Sequence, residues 1–268
     1  MKLCQYVQLL GFVGALGIST EQRLSALDAP EAAKEVQRNN AQVDLRPELK
    51  KFGLLPRRQG ARPTCSVFTI TSALEFAEAR HEGASPRLSV EFLNWSANKA
   101  CGHRQDGGFF SDLWKGYTAY GICPETDMPY EPAMDLDRGP SVEAINRAKQ
   151  QLTHSLRLHW IKEWNVKTGL NDEEFVEIKK TLRSGWPVCG GFRWPKQEHW
   201  VDGVLQMCPA DGVFDGHSVL LVGYNDQPAQ PGGGLFYFRN TSNGGKDGEM
   251  PYAYARAYMN DSAWIDCP

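Results

Sequence analysis

Pro63 and Gly83 bracket a stretch that contains neither glycine nor proline, and within it Val67, Ile70, Leu74 and Ala77 return every three or four positions. That spacing puts apolar side chains on one face of an α-helix and is incompatible with the strict alternation of a strand. Cys65 therefore falls in the first turn of this helix. Further helices are expected over Ser89 to Ala97, around Ser111 to Tyr120, and over Ser141 to Leu152, where Ser141 follows Pro140 and caps the start. Asn171-Asp172-Glu173-Glu174 opens another capped helix that runs to about Arg183 and stops at Gly185. Strand signals then take over. Leu156 to Trp160 alternates, Pro187-Val188-Cys189 leads into Gly190-Gly191-Phe192, Val219 to Val222 is continuously apolar, and Leu235 to Phe238 is rich in aromatics. Between the last two, Gln227 to Gly234 (QPAQPGGG) reads as a hairpin loop. A helical half followed by a sheet-rich half implies an α+β fold with a cleft at the junction.

With 268 residues, 41% of them hydrophobic, the chain can bury a large core as one big domain or two halves. The balance of 29 basic against 32 acidic residues supplies no positive field, so no nucleic-acid partner is expected. Met1-Lys2, the largely apolar Leu9 to Ile18 and the small-x-small site Ala15-Leu16-Gly17 fit a signal peptide over residues 1–19, although an ordinary N-terminal arm fits as well. The apolar run is too short to span a bilayer. Residues 20–42 then read as an arm or short pro-segment and 43–268 as the functional domain. The chain is expected to be secreted or periplasmic if the signal is real, and cytoplasmic otherwise. Seven cysteines without a CxxC spacing give no assigned disulfide, while Cys208 with Cys267, or Cys101 with Cys123, are pairs open in an oxidising compartment.

Four residues carry chemistry. Cys65 in a first helical turn faces the positive end of the backbone dipoles, which favours a thiolate; the bland alternative is a small buried hydrophobe. His217, between Gly216 and Ser218 at the start of an apolar strand, is placed to project from a sheet edge and serve as base and acid, although a lone histidine beside a strand is more often structural. None of His81, His103, His154, His159 and His199 has a comparable strand and partner. Asn240, after Leu235 to Arg239, is placed to orient that imidazole, or is simply a turn asparagine. Gln59, six residues before Cys65, can donate with the Cys65 N–H to an oxyanion, an effect worth about 2.7 to 4 kcal/mol per donor, unless it is a surface glutamine.

In this order the four residues resemble the papain-like cysteine peptidases. The resemblance extends over Val43-Asp44-Leu45-Arg46, Gln59-Gly60, Cys65, Gly107-Gly108, Met128-Pro129-Tyr130, Gly216-His217, Val222-Gly223-Tyr224 and Arg239-Asn240, spanning about Val43 to Tyr258. The sequence around Cys65 is similar to the bacterial branch. The resemblance implies a helical N-terminal lobe and an antiparallel, β-barrel-like C-terminal lobe, with Cys65 at the head of the central helix and His217 and Asn240 on the sheet lobe. It also implies a cysteine-type peptidase that needs no cofactor, works on peptide or protein substrates through a thioester acyl-enzyme, and is a monomer. Gly107 and Gly108 would line the main specificity pocket, where they let a peptide backbone approach. Phe109 and Phe110 either wall that pocket, favouring a hydrophobic or aromatic residue two positions before the scissile bond, or belong to the core.

Three departures stand out. Ser66 and Ser242 occupy positions where the family usually has tryptophan, and the second of these tryptophans shields the His–Asn contact. Its loss predicts an exposed, weaker hydrogen bond and low activity. Arg62 stands where a disulfide cysteine is common. A catalytically silent, peptide-binding relative is therefore a second reading. A metal site on Cys189, His199, Cys208 and His217 is a third, although its spacings match no compact zinc motif. A serine hydrolase is disfavoured by the lack of a Gly-x-Ser-x-Gly elbow.

Overall fold

Fourteen residues of the helix that begins at Cys65 are buried, Phe68, Ile70, Leu74 and Phe76 to within 1% of full burial, so the single stripe read from the sequence is only part of its contact surface. The computed structural model describes residues 41–268 apart from 85, 153–154 and 243; the expected signal and arm lie almost wholly outside the described residues. This helix, α2 (Cys65–Glu82), ends at Gly83, whose φ of 81° is the left-handed turn that glycine adopts without strain. Burial of helix faces on both sides brings polar groups inside. Glu75 is one of them, and it is held by Arg57, Arg87 and the Leu88 N–H, the last at 2.8 Å.

Around α2 stand α1 (Arg46–Lys51), α3 (Val90–Cys101), α4 (Phe110–Tyr120), α5 (Val142–Gln151), α6 (Asp172–Arg183) and the short α7 (Tyr252–Tyr258). The caps read from the sequence at Ser141 and Asn171 are present, and Ser89 is a further one. Ser89 accepts from the Phe92 N–H at 2.9 Å, Ser141 from the Ala144 N–H at 3.1 Å, and Asn171 and Glu174 form a reciprocal capping box.

Among the described residues nine strands make one sheet: β1 (Gln42–Asp44), β2 (Arg157–Lys162), β3 (Val188–Pro195), β4 (Trp200–Val201), β5 (Val204–Leu205), β6 (Val213–Asp226), β7 (Gly234–Arg239), β8 (Asp247–Pro251) and β9 (Met259–Asp266). Their order is β2-β9-β3-β6-β7-β8-β5-β4, with β1 added on β6. All pairings are antiparallel except β5 with β8. The path is open, so "barrel-like" describes it only loosely. The expected hairpin between β6 and β7 is present, with Asp226 opposite Gly234. Short or end-of-chain elements such as α1, β4, β5, α7 and β9 were not read from the sequence, because tertiary contacts rather than local periodicity specify them. One apolar core unites α2 with the sheet residues Val188, Val219, Leu221 and Phe238. Fully burying each such side chain stabilises the fold by about 1.5 to 3 kcal/mol.

Candidate active site

Cys65 follows Pro63 and Thr64 at the head of α2. The Thr64 hydroxyl bonds the Tyr130 hydroxyl at 2.7 Å and does not cap the helix, so the first-turn N–H groups keep no side-chain acceptor. The thiol is 7% exposed, with Sγ 3.7 Å from the Gly216 carbonyl. Burial pushes this thiol above its ordinary value, while N–H groups of Ser218 and Ser66 draw it down. Desolvation thus opposes the helix start, and a thiolate here needs the neighbouring imidazole to take the proton.

His217 lies inside β6, not at its start; it pairs with Phe192 of β3, while β7 pairs with β6 only from Leu220 onwards. What turns it is a bulge. Phe192 pairs with His217 and Arg193 with Asp215, leaving Gly216 as the extra residue at φ 104°. His217 Nε2 bonds Asn240 Oδ1 at 2.9 Å, which leaves Nδ1 as the other ring nitrogen. Asn240 leaves β7 just after Arg239, the register that puts it beside β6. Burial pushes the imidazole below its ordinary value, opposed by the Asn240 bond and by the Glu198 carboxylate.

The expected exposed His–Asn contact is also corrected. His217 and Asn240 are 7% and 4% exposed. Trp194 of β3 packs against the imidazole, ring centroids 4.6 Å apart, and its Nε1–H is held by Glu198 at 2.8 Å. Ser242 lines a hollow with Trp194 and His217, and its hydroxyl and N–H both donate to Asn240 Oδ1, at 3.0 and 3.1 Å. Nothing near Ser242 in the sequence signals Trp194, because the two meet only across the sheet.

Gln59 is buried, not a surface residue. Its Nε2 donates one hydrogen to the Arg62 carbonyl at 2.9 Å, and its Oε1 accepts the Thr241 hydroxyl at 2.8 Å. Both ends of the amide are fixed, and the second amide hydrogen is left over. Thr241, the residue after Asn240, thus couples the segment before α2 to the segment after β7.

Gly107 and Gly108 lie beside this group. Gly107 has φ 73° and its N–H donates to Asn94 Oδ1 at 3.0 Å, while a Cβ there would stand 2.5 Å from the Pro63 carbonyl. Glycine at 107 thus serves the loop's own packing as well as any approaching peptide. The Gly108 N–H is taken by the Ser66 hydroxyl at 3.2 Å, the role that serine fills next to Cys65. The phenylalanines divide: Phe110 is buried and Phe109 is 51% exposed. Cys65, Gly107, Gly108, both phenylalanines and His217 line one cleft of about 340 Å³.

Arg62 stands under the loop. It pairs with Glu91 at 2.5 Å and Asp106 at 2.6 Å and covers the Tyr130 ring at 4.6 Å. His159 does have a carboxylate partner, Asp266 at 3.0 Å, against the reading that no other histidine has one, but it stacks on Trp264 outside the cleft. The cysteines at 101, 123, 208 and 267 form no disulfide, and Cys189 is in the core with its thiol on the Thr69 carbonyl. Among the described residues no three histidine, cysteine or acidic side chains are grouped to hold a metal, so the four residues of the metal reading do not converge.

The family model for papain family cysteine proteases matches residues 40–262. This chain belongs to that family. It is a cysteine-type peptidase, with the mixed α+β fold of the family's solved structures. Xylellain, a cysteine protease from Xylella fastidiosa, is 24% identical over 85% of this chain and 86% of its own, with a TM-score of 0.64. Digestive procathepsin L 3 of the Tenebrio molitor larval midgut is 17% identical over 84% of this chain and 69% of its own, with a TM-score of 0.59. Among curated proteins none matches. Among the described residues no helix is long and apolar enough to cross a membrane.

Proposed function

We propose that this papain-family peptidase cleaves peptide bonds with Cys65 as nucleophile, His217 as base and acid, Asn240 as the group that orients the imidazole, and Gln59 as an oxyanion donor. The observation that carries the reading is the buried His217–Asn240 hydrogen bond in the same cleft as a thiol at an uncapped helix N-terminus. Burial disfavours charge on Cys65 and on His217 taken singly. Moving the thiol proton to Nδ1 creates both charges together, and their mutual attraction, with the first-turn N–H groups facing sulfur, offsets that cost.

Sγ then attacks the substrate carbonyl carbon, and the oxygen that gains charge meets the spare Gln59 N–H and the Cys65 N–H. As the C–N bond breaks, the imidazolium gives its proton to the leaving amine. Water, deprotonated by the same imidazole, attacks the thioester; the C–S bond breaks and the thiol is restored. Gly107, Gly108, Phe109 and Phe110 line the pocket for the side chain two positions before the scissile bond.

The test is labelling of purified protein with an epoxysuccinyl reagent, with the adduct located by peptide mass spectrometry. Stoichiometric labelling at Cys65, slowed about 10²- to 10⁴-fold in His217→Ala, is expected. Labelling that is absent, or spread over several cysteines and indifferent to His217, overturns the assignment.

A further inference from the structure

Beside the cleft lies a second hollow of about 490 Å³, and the two share Phe109, Trp164 and Asp261. Three features of this shared region are hard to explain by packing. Phe109 and Trp164 are both half exposed and meet edge to face at 5.2 Å, and Trp160 of β2 is 38% exposed beside them. Rings of this size are normally covered, so a patch of three marks a surface waiting for a ligand. Asp261, on β9, is 5% exposed yet has no basic partner among the described residues. Lys162 draws on this carboxylate from a distance but forms no ion pair with it among the described residues; its ammonium stands 3.2 Å from the Thr168 hydroxyl and 3.6 Å from Glu174. Thirdly, the neighbouring Asn260 Oδ1 is buried with no hydrogen-bond partner.

We propose that this hollow takes a basic side chain of the peptide substrate, lysine or arginine, with its aliphatic stem between Phe109 and Trp164 and its cation on Asp261, Glu163 standing at the rim. The proposal rests on the peptidase reading above and names the substrate class for the same cleft. It also revises the sequence expectation of a hydrophobic or aromatic residue in this pocket, because that expectation counted Phe109 and Phe110 but had no means of seeing Asp261. The strand position is built for a carboxylate. Asp261 pairs with Gly191 of β3, and any Cβ at 191 would collide with Asp261 Oδ1. Aromatic faces attract the ammonium or guanidinium that follows the stem, and a carboxylate without a counterion gains one when substrate binds. An apolar side chain instead leaves that group buried and unpaired.

The charges around Asp261 are Lys162 on β2, Glu163 just after it, and Cys65 and His217 across the cleft, with the Gly191 N–H donating from β3. Burial pushes the carboxyl up to about 7, against the pull of Gly191 and Lys162. Preference for a cation therefore grows as pH rises through this value.

Peptidyl chloromethyl ketones that differ only in a penultimate lysine, leucine or phenylalanine test this on the full chain, with the rate of adduct formation at Cys65 measured from pH 6 to 8. The lysine reagent is expected to react about tenfold faster than the leucine one at pH 8. That ratio should shrink towards pH 6, and in Asp261→Asn it should become small and independent of pH. Equal rates, faster reaction of the apolar reagents, or a lysine preference unchanged in Asp261→Asn overturns the proposal. The pH dependence in the unaltered protein decides the matter even if the variant folds poorly. Absence of any Cys65 adduct with all three reagents would instead sink the peptidase reading, and this inference with it.

Discussion

The two walls of the cleft treat buried polar groups differently. On the helical wall the groups at and under the Gly107–Gly108 loop are paired: Arg62 with Glu91 and Asp106, Asp106 with Asn94, Asn94 with the Gly107 N–H, and Ser66 with the Gly108 N–H. On the sheet wall His217 has Asn240, but towards β9 the pairing is incomplete: Asn260 Oδ1 has no partner, Asp261 has a backbone N–H but no ion pair, and the Ser262 hydroxyl is also unpartnered. A satisfied network holds the loop of Gly107 and Gly108 rigidly against the head of α2. An unsatisfied one costs stability and gives a ligand something to complete. The contrast separates the part of the site that must stay still from the part that must receive.

Breaking the satisfied wall has the largest expected effect. Arg62→Met leaves Glu91 and Asp106 buried without a counter-charge, and a loss of about 3 to 5 kcal/mol in denaturant unfolding is expected. A loss below about 1 kcal/mol would show that the network is dispensable.

On the sheet wall the sign reverses with pH. The folded value of about 7 for Asp261 lies above the ordinary unfolded value of about 4. The folded state thus holds this proton more tightly, and the resulting stability is present at acid pH and lost as pH rises from about 4 to 7. Asp261→Asn should therefore gain melting temperature on the unaltered protein as pH rises, with the gap constant above 7; parallel curves throughout would count against an unpaired carboxyl. Smallest of all, Ser262→Ala removes a hydroxyl that makes no bond, so unfolding is expected to change by no more than about 0.5 kcal/mol or to move towards greater stability. A large loss would reveal a partner for it.

How much of this was legible beforehand depends on distance along the chain. The helix at Cys65 and the caps at Ser141 and Asn171 were readable because periodicity and capping are local. Cys65, His217, Asn240 and Gln59 were singled out from residue type and order, and in the structure His217 bonds Asn240, Gln59 bonds Thr241 and Cys65 lies by the Gly216 carbonyl. The bulge at Gly216, the Trp194 ring over His217 and the Thr241 bond to Gln59 were not, since each depends on strand register or on contacts between distant segments.

The sequence by itself determined the family and the kind of activity, a cysteine-type peptidase, and named the thiol, imidazole and amide proposed to carry it. Only the tertiary structure decided how that chemistry is tuned. Burial, which no short stretch of sequence specifies, raises the Cys65 thiol, lowers the His217 imidazole and raises the Asp261 carboxyl, because the energy of a charge depends on everything packed around it and not on its neighbours in the chain.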